Sequence, residues 1–233
     1  MKKSQGKDKK KKGSRWNLQK IGIIVIGVSF AVIMVVSSLG TGWLVSLNSA
    51  SAGDGAIVSL TLYDEMGRPV LTSDLKKYNQ TAEAGGMAWL CEQRSMYVGE
   101  TSGKEIVPIP VFNYVYGESR YALFSTEYNT IAQGLAGMRQ GESKKISIPS
   151  LGGFERDMTA EQFDAIGGNF TIVTPGDQVI LAFAEQPVVS VEANETPSYV
   201  IRTGYVTAKT GDGVTVNFAH PMAEVSLRQL TKI

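Results

Sequence analysis

Few side chains of this chain could carry acid–base, nucleophilic or metal chemistry. His220 is the only histidine and Cys91 the only cysteine. A histidine metal triad and an intramolecular disulfide therefore lack the residues that they need. A Ser-His-Asp triad would need His220 as its base, and the sequence has no Gly-x-Ser-x-Gly turn to hold the nucleophile. We predict no metal and no cofactor, and we expect His220 to be a hydrogen-bonded histidine in the turn before a proline.

One reaction needs none of these groups. Rotation about an X-Pro peptide bond is slow without a catalyst, because the barrier is about 18–20 kcal/mol. The twisted amide is less dipolar than the planar one. An apolar pocket with one or two hydrogen-bond donors can therefore bind it more tightly than the planar amide. A chain with so few reactive side chains is compatible with this reaction.

The stretch IAQGLAGMRQGESKKISIP, residues 131–149, contains the elements that could position such a pocket. Apolar residues at i, i+3, i+7 and i+10 predict one buried face of a helix: Tyr128, Ile131, Leu135 and Met138. We expect this helix to end at Gly141-Glu142. Residues 144–149 then alternate as a half-buried strand, with Ile146 and Ile148 inward.

The remaining patterns predict strands. Residues 56–73 alternate around an acidic-Gly turn, which is typical of a hairpin. Residues 74–126 look mixed, with an extended stretch interrupted by proline. Thr159 is expected to cap a short helical turn, and three strand segments and a closing strand follow it. Together the patterns predict a β-rich α+β domain with one principal helix.

The N-terminal part differs from the rest in charge. Residues 1–20 carry nine Lys or Arg and one acid, and the 27 residues of 21–47 carry no charge. As a helix, 21–47 would be about 40 Å long, enough for a bilayer core of about 30 Å. We predict a basic cytoplasmic tail, a single membrane span and an extracytoplasmic C-terminal domain. A secretory signal cleaved near 49–53 is the alternative, although the apolar part of such signals is usually about 7–15 residues. Residues 48–233 are acidic, which disfavours nucleic-acid binding.

Three separated segments resemble FKBP-type peptidyl-prolyl isomerases. Residues 134–149, GLAGMRQGESKKISIP, are similar to the family pattern G-L-x-G-M-x-x-G-E-x-x-x-I-x-I-P. Residues 57–73 resemble the first hairpin of the family. Residues 212–227 resemble a stretch of the SlyD-like subgroup, which carries an inserted chaperone (insert-in-flap) domain.

The resemblance implies a bent antiparallel half-barrel around one helix. It implies an FKBP-like domain over 53–156 with an extra elaboration at 74–126. An inserted small β-rich, chaperone-like domain would cover 157–224, and 225–233 would close the half-barrel.

The resemblance also implies a pocket. It places Ile131 on the pocket floor beside Tyr128, and it puts Phe154 where the family has a tyrosine. The substrate-binding residues that it implies are Leu60, Val70, Leu71 and Leu227. Leu71 stands at the position of a family aspartate. Because Phe154 replaces the tyrosine as well, two polar contacts of the family are missing. Losing one donor to the transition state costs about 1–3 kcal/mol, or about 10- to 100-fold in rate.

The function that follows is a membrane-anchored isomerase and folding helper, which acts on X-Pro bonds of exported proteins. Its expected partners are unfolded or proline-containing polypeptides and the membrane. One alternative is a catalytically silent FKBP-like chaperone. Another is a docking subunit of a membrane or envelope complex, in which the aromatic residues of 74–126 form the interface. A single exposed patch of these aromatics would favour docking, and aromatics at a pocket rim would favour substrate binding.

Overall fold

The computed structural model describes residues 15–38, 49–149, 154–185 and 198–233. The chain divides into two compact units, Met1–Leu47 and Asn48–Ile233. The first unit contains helix α1, Arg15–Ser38. The predicted span at 21–47 overlaps this helix and continues into residues 39–48, which lie outside the described residues, as do residues 1–14.

The apolar side chains of α1 point in every direction around the helix. Ile23, Ile24 and Val25 are consecutive, lie about 100° apart around the axis, and are 71%, 64% and 56% exposed. Within the parts of the chain that the structure describes, no helix is long and apolar enough to cross a membrane.

The second unit is a curled, half-barrel-like sheet with three short helices, so the strand-rich half-barrel predicted from the sequence is confirmed at this level. The strands run in the order β7-β12-β1-β2-β3-β5-β6-β10-β11-β8, with β4 paired to β1 and β9 paired to β10. The strands are β1 (Gly55–Tyr63), β2 (Pro69–Thr72), β3 (Trp89–Cys91), β4 (Arg94–Tyr97), β5 (Ile106–Asn113), β6 (Gly117–Phe124), β7 (Ser143–Ser147), β8 (Glu155–Thr159), β9 (Gln178–Ala184), β10 (Tyr199–Lys209), β11 (Gly213–Asn217) and β12 (Met222–Thr231). The helices are α2 (Leu75–Glu83), α3 (Ser125–Gly134) and α4 (Ala160–Ala165).

Several local predictions are confirmed. β1 and β2 form the expected hairpin, and Gly67 adopts a φ of 75° in the turn. Ile146 in β7 and Ile148 just after it are buried, whereas Lys145 and Ser147 are exposed. Thr159 caps α4, where its hydroxyl accepts a hydrogen bond from the backbone of Gln162.

The predicted length of the principal helix is wrong. α3 ends at Gly134 and does not continue to Gly141-Glu142. The backbone N–H of Gly137 donates to Ala50 O at 2.8 Å, and Ala50 N–H donates to Met138 O at 2.7 Å. Because these groups bond to a neighbouring segment, they do not extend the helix. Leu135 and Met138 are nevertheless buried as predicted.

The extended stretch predicted within 74–126 is confirmed as strand β5, but the expected interruption by proline is wrong. This region forms α2 and strands β3 to β6, and Pro108 and Pro110 lie within β5. Both prolines pair with β6, whereas β3 pairs with β5 only at Val111 and Phe112. The missing proline N–H groups therefore occur where β5 has no second partner strand.

Two apolar clusters fill the second unit. The larger one packs α3 against the sheet around β1, β2, β7 and β12. It includes Ala50, so the packed unit begins before residue 53. The smaller one lies within the segment predicted as an inserted domain and contains Phe163, Val173, Val179, Val206, Val214, Val216 and Phe218. Both clusters belong to the same compact unit, and β12 runs from Met222 across the predicted boundary at 224.

Candidate functional site: a buried polar cluster and an open cleft

The structure brings five of the predicted pocket residues together, but inside the core. Ile131, Leu71 and Leu227 are 0% exposed, Val70 1% and Leu60 2%, and all five belong to the larger apolar cluster. Two of the elements that contribute them are helix α3 and the β1–β2 hairpin. The five side chains have no surface on which an X-Pro segment could rest, so their role in this structure is core packing.

The two other predicted residues lie nearer the surface. Tyr128 is half-buried, and its hydroxyl donates to Glu100 Oε2 at 2.8 Å. Phe154 is half-buried, and its ring packs on Phe124 with 5.2 Å between centroids. The cavity beside Phe154 has a volume of about 10 Å³, which is too small for a proline ring.

A buried ion pair links α3 to β10, and nothing in the sequence reading located it. Arg202 and Glu127 side chains are 1% and 2% exposed. Nη2 of Arg202 donates to Glu127 Oε1 at 2.7 Å, and Nη1 donates to Oε2 at 2.9 Å. The same guanidinium donates to Ala122 O and to Phe218 O, both at 2.8 Å. Every nitrogen of the guanidinium is therefore engaged, and the side chain is buried away from any substrate.

His220 completes this cluster. Its Nε2 lies 3.0 Å from Thr203 O and 3.2 Å from Tyr121 Oη. Because a carbonyl oxygen only accepts, we assign the proton of the neutral ring to Nε2. Nδ1 lies 3.5 Å from Glu127 Oε1, and it has no hydrogen-bond partner among the described residues. His220 is thus hydrogen-bonded, as predicted. Only one of its ring nitrogens forms these bonds, and the side chain is buried within a charged cluster.

The pKa values of the cluster follow from burial and from Arg202. Burial raises the pKa of Glu127, but the Arg202 cation and the hydrogen bonds outweigh burial and lower the pKa to about 2. Burial lowers the pKa of His220, and Arg202 lowers it further. Burial raises the pKa of Tyr121. At neutral pH the cluster therefore contains one compensated ion pair, a neutral histidine and a neutral tyrosine, which suits a structural link better than proton transfer.

The second candidate is an open cleft with a volume of about 690 Å³, within the range of about 300–1,000 Å³ that is typical of ligand sites. One wall follows α2 and the β5–β6 turn. The other wall runs from α4 to the start of β9. Apolar side chains on both walls line the cleft: Met87, Tyr116, Phe163, Ile166, Ile172, Val173, Val179 and Ile180.

A side-chain amide joins the two walls. Gln178 Oε1 accepts from Met87 N–H at 2.6 Å, and Gln178 Nε2 donates to Met87 O at 3.1 Å. The amide thus imitates a neighbouring strand. Gly86 lets the chain pass close to the end of α2, because a Cβ there would lie 2.9 Å from Thr81 Cγ2.

Arg68 lines the cleft, and its guanidinium is held by neighbouring groups. Its Nε donates to Asp64 Oδ2 at 2.8 Å, and its Nη1 donates to Gly176 O at 2.7 Å. Nη2 is buried and has no partner among the described residues. The guanidinium is therefore fixed in place with one donor unused.

The aromatic residues of 74–126 do not form one exposed patch. Trp89 is buried, and its indole N–H donates to Thr203 Oγ1 at 3.0 Å. Tyr116 and Met87 line the cleft. Tyr114 and Tyr97 are exposed. Part of the predicted set thus lies at the rim of a cleft, although that cleft is not the predicted pocket.

The sequence contained weak signals for some of these features. An arginine within the strand pattern YVIRTGYV is a signal for a buried ion pair, since strand interiors rarely hold an unpaired charge. The cleft gave no such signal, because four segments that are separate in sequence form it. Searches against family models and against curated proteins found no match to this chain.

Proposed function

We propose that residues 48–233 form an FKBP-like folding helper, which binds unfolded polypeptide in the cleft without isomerising X-Pro bonds. The segment 21–47 would hold it at the outer face of a membrane, where exported proteins would be its clients. The cleft carries the proposal, because apolar side chains line both of its walls and part of them is exposed. The isomerase pocket implied by the family resemblance has no comparable open surface.

The strand order supports the FKBP-like part of the proposal. The three segments that resemble the family contain β1 and β2, β7, and β11 with the first half of β12. All of these strands except β11 are neighbours in the sheet, in the order β7-β12-β1-β2. In sequence, the smaller apolar cluster falls between β7 and β12, as an insertion within that unit would.

The cleft suits a neutral, apolar stretch of polypeptide. Ile172 is 72% exposed at its rim, and Tyr116 and Met87 lie on the opposite wall. Arg68 is already paired with Asp64, and Asp177 also lines the cleft. An anionic ligand would therefore gain little there. The side chains of such a stretch would bury apolar surface against both walls.

Prolyl isomerase activity is the second candidate, and the half-buried Phe124–Phe154 pair favours it. Pro149 lies beside Phe154, and a substrate proline could pack on the same rings. Catalysis also needs a donor for the twisted amide. Arg202, whose guanidinium lies over both rings, has each nitrogen engaged. We therefore place binding ahead of isomerisation.

Two assays on residues 48–233 separate the candidates. A labelled apolar peptide without proline would report binding by fluorescence anisotropy, and an X-Pro peptide would report isomerisation. Ile172→Asp should weaken peptide binding about tenfold or more, because a charge enters the apolar wall. Ile233→Asp is the matched control, since Ile233 is exposed at 89% and does not line the cleft.

Equal binding by Ile172→Asp and wild type would rule out the cleft as the binding site. Acceleration of X-Pro rotation that disappears in Phe154→Ala would replace the proposal with the isomerase. A charged variant of Ile131 would not help, because that residue is fully buried and its substitution tests folding.

A further inference from the structure

Basic residues are concentrated at one place in an acidic unit. Residues 48–233 contain 14 Lys or Arg and 21 Asp or Glu. Two short segments, 139–145 and 228–232, hold five of the basic residues and only one acid, Glu142. All five basic side chains are exposed: Arg139, Lys144, Lys145, Arg228 and Lys232. We call these five the basic rim.

The fold gathers the basic rim around Ser49, the first described residue of the unit. Ser49 forms an isolated antiparallel β-bridge with Arg139 through the backbone. Lys232 Nζ donates to Ser49 O at 2.6 Å. The two segments are joined because Gly141 N–H donates to Leu227 O at 2.7 Å, next to Arg228. β7 then pairs with β12, where Lys144 and Lys145 lie opposite Val225 and Glu224, on the same strand as the second segment and a few residues before it.

Most of this positive charge is unpaired within the described residues. Lys232 forms an ion pair with Asp54 at 2.8 Å. Arg228 Nε donates to Ser59 Oγ, and Lys144 Nζ donates to Gly134 O, neither of which is charged. Arg139 and Lys145 form no ion pair in the part of the chain that the structure describes. The rim therefore has cationic groups to offer an anionic surface.

We infer that the basic rim binds anionic lipid headgroups of the membrane that holds segment 21–47. The inference rests on the membrane attachment in the proposed function. Ten residues, 39–48, separate the end of α1 from Ser49 in the sequence. The rim thus includes the described part of the unit that follows segment 21–47 most closely in sequence. Headgroup negative charge attracts the rim and repels the acidic remainder, which orients the unit.

Vesicle binding by residues 48–233 tests the inference, because this unit contains both apolar clusters and hence its own core. The probes are vesicles of phosphatidylcholine, pure or with about one third phosphatidylglycerol, at low and at high salt. We expect binding only to the anionic vesicles at low salt. The triple variant Arg139→Gln, Lys144→Gln, Lys145→Gln should lower the partition coefficient about tenfold.

A matched triple variant, Lys76→Gln, Lys104→Gln, Arg156→Gln, removes the same charge from exposed positions outside the rim. It should change the partition coefficient less than about twofold. Equal losses in the two triples, or equal binding to neutral vesicles, would overturn the inference.

Flotation of the full chain separates this inference from the proposed function. A full chain that fails to float with neutral vesicles would overturn both the anchor and the rim. The rim alone would be overturned by two results together. The full chain would float, and the rim variant of residues 48–233 would bind anionic vesicles as tightly as the wild type. Loss of peptide binding in Ile172→Asp is measured without lipid and is independent of both.

Discussion

The predicted pocket and the cleft are both apolar, but only one is open to water. In the pocket region, the face of α3 that carries Ile131 packs against Leu60 and the rest of the larger cluster without an exposed surface. In the cleft, Ile166 and Ile172 stay exposed opposite Tyr116. The spacing of apolar residues identifies a buried face equally well in a closed core and in a binding site. What distinguishes the two regions is whether another element covers them.

Two arginines repeat the contrast. Arg202 pairs with Glu127 in the interior and has every nitrogen engaged. Arg68 pairs with Asp64 at the cleft and keeps Nη2 free. Each guanidinium holds distant segments together, but only Arg68 does so beside an open cleft. Variants at these positions and at the two apolar surfaces can test whether the contrast is real.

The largest effect should come from breaking the buried ion pair. Arg202→Met would leave Glu127 charged and buried without its partner, which costs about 3–5 kcal/mol of unfolding free energy. The double variant Arg202→Met, Glu127→Leu should regain most of this loss, because no unpaired charge remains. Urea denaturation of residues 48–233 measures both values. A loss below about 1 kcal/mol in Arg202→Met would show that water reaches Glu127.

A pair of isoleucine variants compares the two apolar surfaces directly. Ile131→Ala should lower the unfolding free energy by about 2–4 kcal/mol, because it leaves a cavity in a closed core. Ile172→Ala should change stability by less than about 0.5 kcal/mol and should weaken peptide binding, since this side chain lies exposed at the cleft. Denaturation and peptide anisotropy on both variants provide the comparison. If Ile131→Ala weakened peptide binding with little loss of stability, Ile131 would be a pocket residue.

The parts of the fold that were predictable depend on neighbours in sequence. Alternation and an acidic-Gly turn suffice for the β1–β2 hairpin, and Thr159 with Gln162 suffices for the start of α4. Helix α2 also had a local signal, since Asp74 accepts from the backbone of Lys76 and Lys77 at its start. That signal was missed within a region interpreted as mixed.

The site depends on long-range contacts, which sequence spacing does not report. Glu127 and Arg202 are 75 residues apart, and the Gln178–Met87 bonds join residues 91 apart. The end of α3 was likewise set by Ala50, which takes the hydrogen bonds that would have extended the helix. Local patterns therefore predict which elements form, whereas their coverage of one another decides which apolar surface stays open.

Acidification should weaken the buried cluster in two steps. The pKa of His220 is lowered from 6.5, so below about pH 6.5 the unfolded chain takes up a proton that the folded chain does not. The resulting loss of unfolding free energy is absent above pH 6.5 and grows as the pH falls below that value. The pKa of Glu127 is lowered from 4.5 to about 2, so a further loss occurs between these values. Each step has a slope of at most about 1.4 kcal/mol per pH unit.

Urea midpoints measured across pH check this prediction. His220→Gln should flatten the upper step and leave the lower one, because glutamine keeps a donor for Thr203 O without titrating. An unchanged profile in this variant would mean that His220 is solvated in the folded protein.

The smallest expected effect concerns two tyrosines of one turn. Tyr116 lines the cleft and packs on Trp89 at 5.8 Å, whereas Tyr114 packs on Tyr78 and Phe112 and does not line it. Tyr116→Ser should weaken binding of the apolar peptide about 3- to 10-fold, since it removes one aromatic contact worth about 1 kcal/mol. Tyr114→Ser is the matched control and should change binding less than about twofold.

The two tyrosines also decide between the cleft and a docking surface. If the exposed turn served a partner protein, Tyr114, at 69% exposed, would matter at least as much as Tyr116, at 54%. Peptide anisotropy that responds to Tyr116 alone would place the ligand between the walls. Equal responses would place it on the outside of the turn, and the cleft would then be a gap between two packed surfaces without a ligand of its own.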